Sequence, residues 1–360
     1  MTDFFKGIAI AMVVLTHSHQ MFAIPSWLFN ILNFLQFGCQ IFFVLSAFGL
    51  CISYSRSRLS WLSFMKHRVS KMIVGYWSMI LFYIIYRVVY ALVTGVSVPD
   101  SLNIPGIIIN MFFLNGFVPI DYINNHIVSG GWFVGTLFIF YMVFPLMFKF
   151  YEWNNEKWRR VRLFAFPCAS FFMSVLLINI AGMFDKNISV ANAFIYRSAI
   201  NQFPCFALGF CLYDVFKSKR LSTIKNSALL SILFLAGSVF LSQSGLSWAY
   251  TVCHVLFAAS FVFLFILVCK KKALYSRIVN NTNKFVGLIK KCGQISFFIY
   301  MVQSIVIFYL IYNLADVMGQ YVRNDLLCYI FLLPVMTVLC FCMAYALYRL
   351  DKYVRVRKLK

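Results

Sequence analysis

Charged residues, and acidic residues above all, are scarce in this chain. Only 12% of the 360 residues are charged, 10 Asp and Glu stand against 32 Lys and Arg, and 62% are hydrophobic. A soluble protein needs more charge to cover its surface, since apolar residues normally make up about half of a chain or less. The composition therefore excludes a soluble globular protein. Apolar runs recur instead, and about 20 apolar residues form a helix that crosses a hydrocarbon layer about 30 Å thick.

Cysteine motifs are also missing. The chain has 11 cysteines, but none form a CxxC pair, and Cys340 and Cys342 form only a CxC within an apolar run. Most of the others lie within apolar runs too, where a thiol behaves as a small hydrophobic group. We therefore predict no disulfide framework, no metal site and no permanently bound cofactor.

The N-terminus lacks a secretory cleavage site. Lys6 precedes an apolar stretch, as in a signal peptide, but Asp3 lies in the charged part and no small-x-small site occurs before Pro25. We predict that this stretch is retained as the first span of an all-α membrane protein, a polytopic bundle of about ten transmembrane helices. The predicted spans are 4–24, 31–54, 72–93, 132–149, 163–182, 199–216, 228–243, 248–269, 293–314 and 325–348.

The positions of the basic residues predict the topology. With ten spans and both termini in the cytoplasm, 28 of the 32 Lys and Arg fall in cytoplasmic segments, as the positive-inside tendency requires. Counting the interrupted apolar stretch 104–118 as a span would move 22 of them outside, so that stretch is predicted to be interfacial or re-entrant. The net charge of +22 is thus explained by topology and attraction to membrane lipids, and does not indicate nucleic-acid binding. We expect one transmembrane domain, 1–350, and a basic cytoplasmic tail, 351–360.

Ionisable residues inside apolar spans are costly, and each is a candidate functional residue. Lys6 and His17 are eleven residues apart, which places them within about 20° of the same helix face and about 16 Å apart along the axis. Lys6 could simply extend to the cytoplasmic interface, and His17 could hydrogen-bond a neighbouring helix. Arg87, near the outer end of the third span, either extends outward or binds a carboxylate or an anionic acceptor.

Two further groups of residues have both a structural and a functional interpretation. Four basic residues follow the second span and are either a topology signal or a phosphate site; they are Lys66, His67, Arg68 and Lys71. Asp121 and His126 lie in the predicted outer loop 119–131, where they are either solvated or contact an acceptor.

Six motifs in order resemble those of the acyltransferase-3 family of bacterial membrane acyltransferases. The first helix carries Asp3, Lys6, Gly7, Ala9, Val13 and His17 at the spacing of the family's opening pattern, with Lys6 in place of the usual Arg. The second span has Phe42-Phe43 and Ser46, with Ala47 where the family has Gly. In the ninth span, Gln303 stands where the family frequently has His. The remaining landmarks are Arg68 to Lys71, Trp132-Phe133 with Tyr141 and Pro145, Phe203-Pro204 to Gly209, and Gly293 to Tyr300.

The resemblance implies a bundle of ten helices that transfers an acyl group, commonly acetyl from acetyl-CoA, to a hydroxyl of a surface polysaccharide or its lipid-linked precursor. It implies that His17 is catalytic and that Lys6, Arg68 and Lys71 bind the donor. Supporting roles fall on Asp3, Ser46, Trp132, Tyr300 and Gln303, and the acceptor-side candidates are Arg87, Asp121 and His126. The expected location is the cytoplasmic (inner) membrane of a bacterium.

Three alternatives remain open at this point. A transporter or flippase of lipid-linked oligosaccharides would be expected to show repeated halves or matched broken helices, which the sequence lacks. A polysaccharide polymerase would favour a large, charge-rich outer loop, whereas 94–131 has few charges. A family member without activity would serve only as a binding partner.

Overall fold

The computed structural model describes residues 1–95, 102–116, 127–128, 130–153, 196–246, 249, 252–280 and 283–357, with isolated positions between 161 and 176. Within these ranges the chain is helical and no strand occurs. The first half contains α1 (Thr2–Ser18), α2 (Ser26–Phe34), α3 (Gly38–Ser57), α4 (Trp61–Thr94), α5 (Ile104–Met111) and α6 (Gly131–Glu152). The second half contains α7 (Ala199–Lys217), α8 (Ser227–Gln243), α9 (Cys253–Lys270), α10 (Lys272–Val279), α11 (Lys284–Gln294), α12 (Ser296–Ile305), a π-helix (Val306–Ile311), α13 (Tyr312–Tyr321) and α14 (Asp325–Arg357).

Seven helical segments in the described part of the chain are long and apolar enough to cross a membrane. They are Ser26–Ser57, Trp61–Thr94, Gly131–Glu152, Ala199–Lys217, Cys253–Lys270, Ser296–Tyr321 and Asp325–Arg355. The apolar α8 and the first helix α1 have 17 residues each, and most of the predicted span 163–182 lies outside the described residues. The all-helical membrane fold is therefore confirmed, while the count of ten and the cytoplasmic position of the termini stay predictions.

The predicted first span is longer than the helix that forms. α1 ends at Ser18 and α2 begins after Pro25. Proline disfavours helical backbone in the residue before it, so one helix does not continue across this position. The stretch 104–118 contains only the eight-residue α5 and a short 3₁₀ turn, Leu114–Gly116. A helix of that length is too short to cross a membrane. This segment instead packs on α4, where the Trp77 Nε1 donates a 2.9 Å hydrogen bond to the Met111 carbonyl.

Basic helix ends gather at one end of the bundle. Glu152, at the end of α6, pairs with Arg58 after α3 and lies 3.6 Å from the Lys217 ammonium at the end of α7. At the same end, Arg68 near the start of α4 donates a 2.7 Å hydrogen bond to the Ser53 hydroxyl of α3. Arg355, near the end of α14, donates to the backbone carbonyl of Lys71 on α4. The ends of α3, α6, α7 and α14 and the start of α4 therefore lie on the same side of the bundle.

Phenylalanine rings fill the interface between α3, α6 and α7. Phe140 stacks on Phe206 with ring centroids 4.5 Å apart, and Phe43 meets Phe140 edge-to-face at 5.5 Å. All three side chains are fully buried. In a membrane, close van der Waals packing of this kind is a main source of helix association, since lipid tails are as apolar as the side chains. The high phenylalanine content thus serves the packing between helices.

Candidate active site

His17 occupies the last turn of α1 and faces the π-helix. Its ring is half-buried and meets Phe308 edge-to-face, with ring centroids 6.4 Å apart. The Nδ1 atom is buried and has no hydrogen-bond partner in the described part of the chain. Gln20 lies within side-chain hydrogen-bonding reach of the imidazole, and His19 and Arg197 are near enough to act on it electrostatically. A buried polar atom without a partner is costly, so a ligand or water that bonded Nδ1 would be stabilised there.

The π-helix beside His17 is a second feature that is typical of functional sites. It spans Val306–Ile311 and follows Ile305, the last residue of α12, so that it interrupts an otherwise regular helix. Such segments are rare and occur frequently at functional sites, because they shift the side chains that follow relative to a regular helix. This one presents Phe308 to His17 and Tyr309 to Arg87.

Arg87, on α4, contacts the π-helix. Its Nη2 donates a 2.7 Å hydrogen bond to the Tyr309 hydroxyl, and its guanidinium carbon lies 5.1 Å from the centroid of the same ring. The side chain is half-buried. Arg87 is thus linked to the His17 site through the π-helix, and its role towards an acceptor stays a prediction. Asp121 and His126, the other two acceptor-side candidates, lie outside the described residues.

An amide cluster lies at the starts of α3 and α7. Gln40 Nε2 donates to Gln202 Oε1 at 2.9 Å and to the Tyr196 hydroxyl at 3.2 Å. Gln40 Oε1 and both side-chain polar atoms of Asn201 are buried without a hydrogen-bond partner among the described residues. The Oε1 atom of Gln303, on α12, is also buried without a hydrogen-bond partner in the described part of the chain. These orphaned atoms are sites where a polar ligand or water would be stabilised.

Aromatic side chains connect this cluster with the predicted supporting residues. Trp132, at the start of α6, lies 5.8 Å from the Tyr196 ring between centroids. The Tyr300 hydroxyl is buried and donates a 3.1 Å hydrogen bond to the Gly130 carbonyl. Arg197 lies near enough to His17, Tyr196 and Tyr300 to act on all three. Trp132 and Tyr300 are therefore brought into one region with His17.

A cluster of cations forms around Lys71, and we call it the basic cluster. Lys71 lies within electrostatic range of Lys6, Arg68 and Arg355, which come from α1, α4 and α14. Asp3 is 4.0 Å from the Lys6 ammonium, and Asp351 pairs with Arg355 at 2.7 Å. Four cations and two carboxylates leave a net charge of +2. Lys6 and Arg68 thus both act electrostatically on Lys71, as expected if the three share an anion site.

Ser46 stands apart from these groups. It is half-buried on α3, and no described contact links it to His17 or to the basic cluster. Its neighbour Ala47 faces α7 at Gly209, where an added Cβ would lie 2.5 Å from the Ala47 Cβ. This part of the motif therefore supports the close approach of α3 and α7.

Sequence reasoning did not single out several residues of the site. Gln40, Asn201 and Gln202 are polar residues within predicted spans, and that feature alone could have identified them. Arg197 is one of the four Lys and Arg that the predicted topology leaves outside the cytoplasmic segments, and nothing else in the sequence marked it. Arg355 was assigned to the tail, whereas α14 continues to Arg357 and places it beside Lys71.

The fold and the site define a helical membrane protein with a half-buried histidine and a separate basic cluster at one end of the bundle. A family model described as an acyltransferase domain matches residues 2–345. The chain belongs to this family, acyltransferase-3, as its motifs predicted. Neither the curated proteins nor the solved structures contain a match. Family membership and the membrane-length helices together indicate a multi-pass membrane acyltransferase.

Proposed function

We propose that the protein transfers an acyl group, acetyl as the first choice, from a cytoplasmic acyl-CoA to a hydroxyl of a cell-surface glycan or its lipid-linked precursor. It would act in the cytoplasmic membrane of a bacterium, with the basic cluster on the cytoplasmic side. The observation that carries the proposal is the unpartnered Nδ1 of His17, beside a π-helix, on the helix that also bears Lys6.

His17 is the proposed general base. Imidazole is the side chain whose ordinary pKa lies closest to neutrality, so it can accept and return a proton at physiological pH. The acceptor hydroxyl gives its proton to the ring, and its oxygen attacks the thioester carbonyl carbon. A carbon–oxygen bond forms, the carbon–sulfur bond breaks, and coenzyme A leaves as a thiol after taking the proton from the imidazolium. A covalent acyl-histidine is the alternative route through the same side chain.

The basic cluster is the proposed donor site. Coenzyme A carries phosphates at one end and its thioester at the end of a long arm. Lys6 and His17 lie on one face of α1, about 16 Å apart along the axis. Phosphates held at Lys6, Arg68 and Lys71 would let the arm extend along α1 towards His17. Arg355 is added to this site because it lies beside Lys71.

The amide cluster is the proposed acceptor site. Sugar hydroxyls both donate and accept hydrogen bonds, which suits the orphaned oxygens of Gln40, Asn201 and Gln303 and the orphaned amide nitrogen of Asn201. Trp132 and Tyr196 offer aromatic faces nearby. Arg87 is held by Tyr309 at the far side of His17 and would bind an anionic substituent of the acceptor.

The decisive experiment follows labelled acetyl from acetyl-CoA to a surface-glycan fraction, using the purified full-length protein in vesicles. His17→Ala should lower transfer by at least about 100-fold, the usual contribution of a general base. His19→Ala is the matched control, because His19 is buried two residues away and packs on Phe29. Equal activity of the two variants would overturn the role of His17. A wild-type protein that neither transfers nor hydrolyses any acyl-CoA would overturn the proposed function itself.

A further inference from the structure

A cavity lies between α1, α9, α10 and α11, apart from the His17 site. Its volume is about 360 Å³, and its walls are almost entirely apolar, with Phe4, Ile8, Val268, Leu274 and Ile278 among them. Arg277 is the one cation among the described residues that line it. Sites for small molecules typically measure about 300 to 1,000 Å³ and combine apolar walls with a few polar groups. The cavity therefore has the size and the lining of a site for an apolar chain with an anionic end.

The charged side chains of the segment that forms one side of the cavity are all positive. The segment 270–291 carries seven Lys and Arg and no Asp or Glu. Within it, Lys290 donates hydrogen bonds of 3.0 Å to the carbonyls of Ile278 and Val279, which fixes α11 against the end of α10. Basic segments next to a membrane attract anionic headgroups, by about 1 kcal/mol for each Lys or Arg near the surface.

The outer face of α11 combines exposed apolar and basic side chains. Phe285 and Leu288 are 65% and 51% exposed and lie on the same side of the helix, while Lys284 and Lys291 are exposed next to them. A short amphipathic helix with exposed apolar and basic side chains is typical of the interface between headgroups and acyl chains. The same segment lines the cavity through Asn283 and Val286, so a phospholipid whose headgroup lay at this helix could place an acyl chain in the cavity.

The cavity is on the wrong side of α1 to serve the acyl donor. Phe4 and Ile8 each lie two residues from Lys6, and so about 160° around the helix from it. His17 shares the face of Lys6. A chain in this cavity therefore lies behind α1, separated by the helix itself from the basic cluster and from His17.

We propose that this cavity binds an anionic phospholipid of the surrounding bilayer, with one acyl chain between α1, α9 and α10 and the phosphate at Arg277. The guanidinium can donate two parallel hydrogen bonds to phosphate oxygens. The neighbouring lysines hold the headgroup by charge. This site is independent of acyl transfer, but the lipid would lie against α1, the helix that carries His17.

The test measures lipid bound to the full-length protein in mild detergent by native mass spectrometry. Phosphatidylglycerol and phosphatidylcholine with the same chains are offered at equal concentration. Both lipids carry a phosphate, but phosphatidylglycerol is a net anion, whereas the choline cation of phosphatidylcholine is repelled by the surrounding Lys and Arg. We expect one tightly retained lipid, and phosphatidylglycerol in excess by about tenfold. Arg277→Gln should lower the retention of phosphatidylglycerol and reduce this excess. Leu274→Trp should fill the cavity and reduce retention of both lipids.

Lys149→Gln is the matched control, since Lys149 is an exposed cation near the end of α6 and does not line the cavity. It should leave the lipid preference unchanged. Equal retention of the two lipids by the wild type would overturn the proposal, and so would equal effects of Lys149→Gln and Arg277→Gln. Displacement of the lipid by palmitoyl-CoA, with a raised KM for that donor in Leu274→Trp, would also overturn it, because the cavity would then belong to the donor.

Discussion

Arg87 and Tyr309 form a paired contact that joins α4 to the π-helix. The Arg87 Nη2 donates a 2.7 Å hydrogen bond to the Tyr309 hydroxyl, and its guanidinium lies against the same ring. Tyr309 follows Phe308, which packs on the His17 ring. The contact thus fixes the segment that positions the catalytic candidate.

Removing the Tyr309 hydroxyl should lower activity while the protein stays folded. Tyr309→Phe keeps the ring and its contact with the guanidinium but loses a hydrogen bond to a charged donor, which contributes about 1.5–3 kcal/mol. We expect kcat/KM to fall about tenfold or more. The measurement is a transfer assay with the melting temperature recorded in parallel. Tyr312→Phe is the control, because Tyr312 is 58% exposed; equal losses in the two variants would contradict the role given to the Arg87 contact.

The close contact of α1 with α11 should not tolerate a side chain at either of two glycines. An added Cβ at Gly7 would overlap the Ile289 carbonyl, and one at Gly293 would overlap the Asp3 carbonyl. Gly7→Ala and Gly293→Ala should each lower the free energy of unfolding by about 1–3 kcal/mol, the usual cost of overpacking. Thermal melts of the detergent-solubilised protein measure this. Gly287→Ala on the same α11 meets nothing within 4 Å and should melt at the wild-type temperature or slightly higher.

Substitutions that remove a cation from the basic cluster should raise KM for the donor and leave kcat largely unchanged. Lys71→Gln and Arg355→Gln each remove one of four neighbouring cations, and KM for acetyl-CoA should rise about three- to tenfold. KM for acetyl-pantetheine, which lacks the nucleotide phosphates, should not change. Lys149→Gln serves as the control. A variant that raises KM equally for both donors would show that the cluster acts on structure and not on phosphate.

Replacing an orphaned amide by an apolar side chain should make the protein more stable and weaken its binding of the acceptor. Asn201→Leu and Gln303→Met keep the side-chain volume and remove buried polar atoms that have no partner in the described chain. Each should raise the free energy of unfolding by about 1 kcal/mol, because an unsatisfied buried group is costly. KM for the acceptor should rise, while hydrolysis of acetyl-CoA continues. Lower stability together with unchanged acceptor kinetics would indicate a purely structural role.

The membrane character, the family and the first helix were predictable from the sequence. Hydropathy and charge are local properties, so long apolar runs indicate spanning helices and the grouped Lys and Arg indicate the end of the bundle that they share. The family prediction is confirmed by the match over residues 2–345. The spacing of Lys6 and His17 fixes their common face, because α1 is one continuous helix over both.

Only the tertiary structure decided which distant residues meet. Arg355 reaches Lys71 across 284 positions of sequence, and Arg87 reaches Tyr309 across 222. The partner of a long side chain within a span is likewise set by its neighbours, which is why the sequence did not identify Tyr309 as the partner of Arg87. The sequence by itself determined that this chain spans a membrane and which helix carries its histidine. The packing of helices far apart in sequence determined the surroundings of that histidine, because these contacts depend on how whole helices dock and not on local pattern.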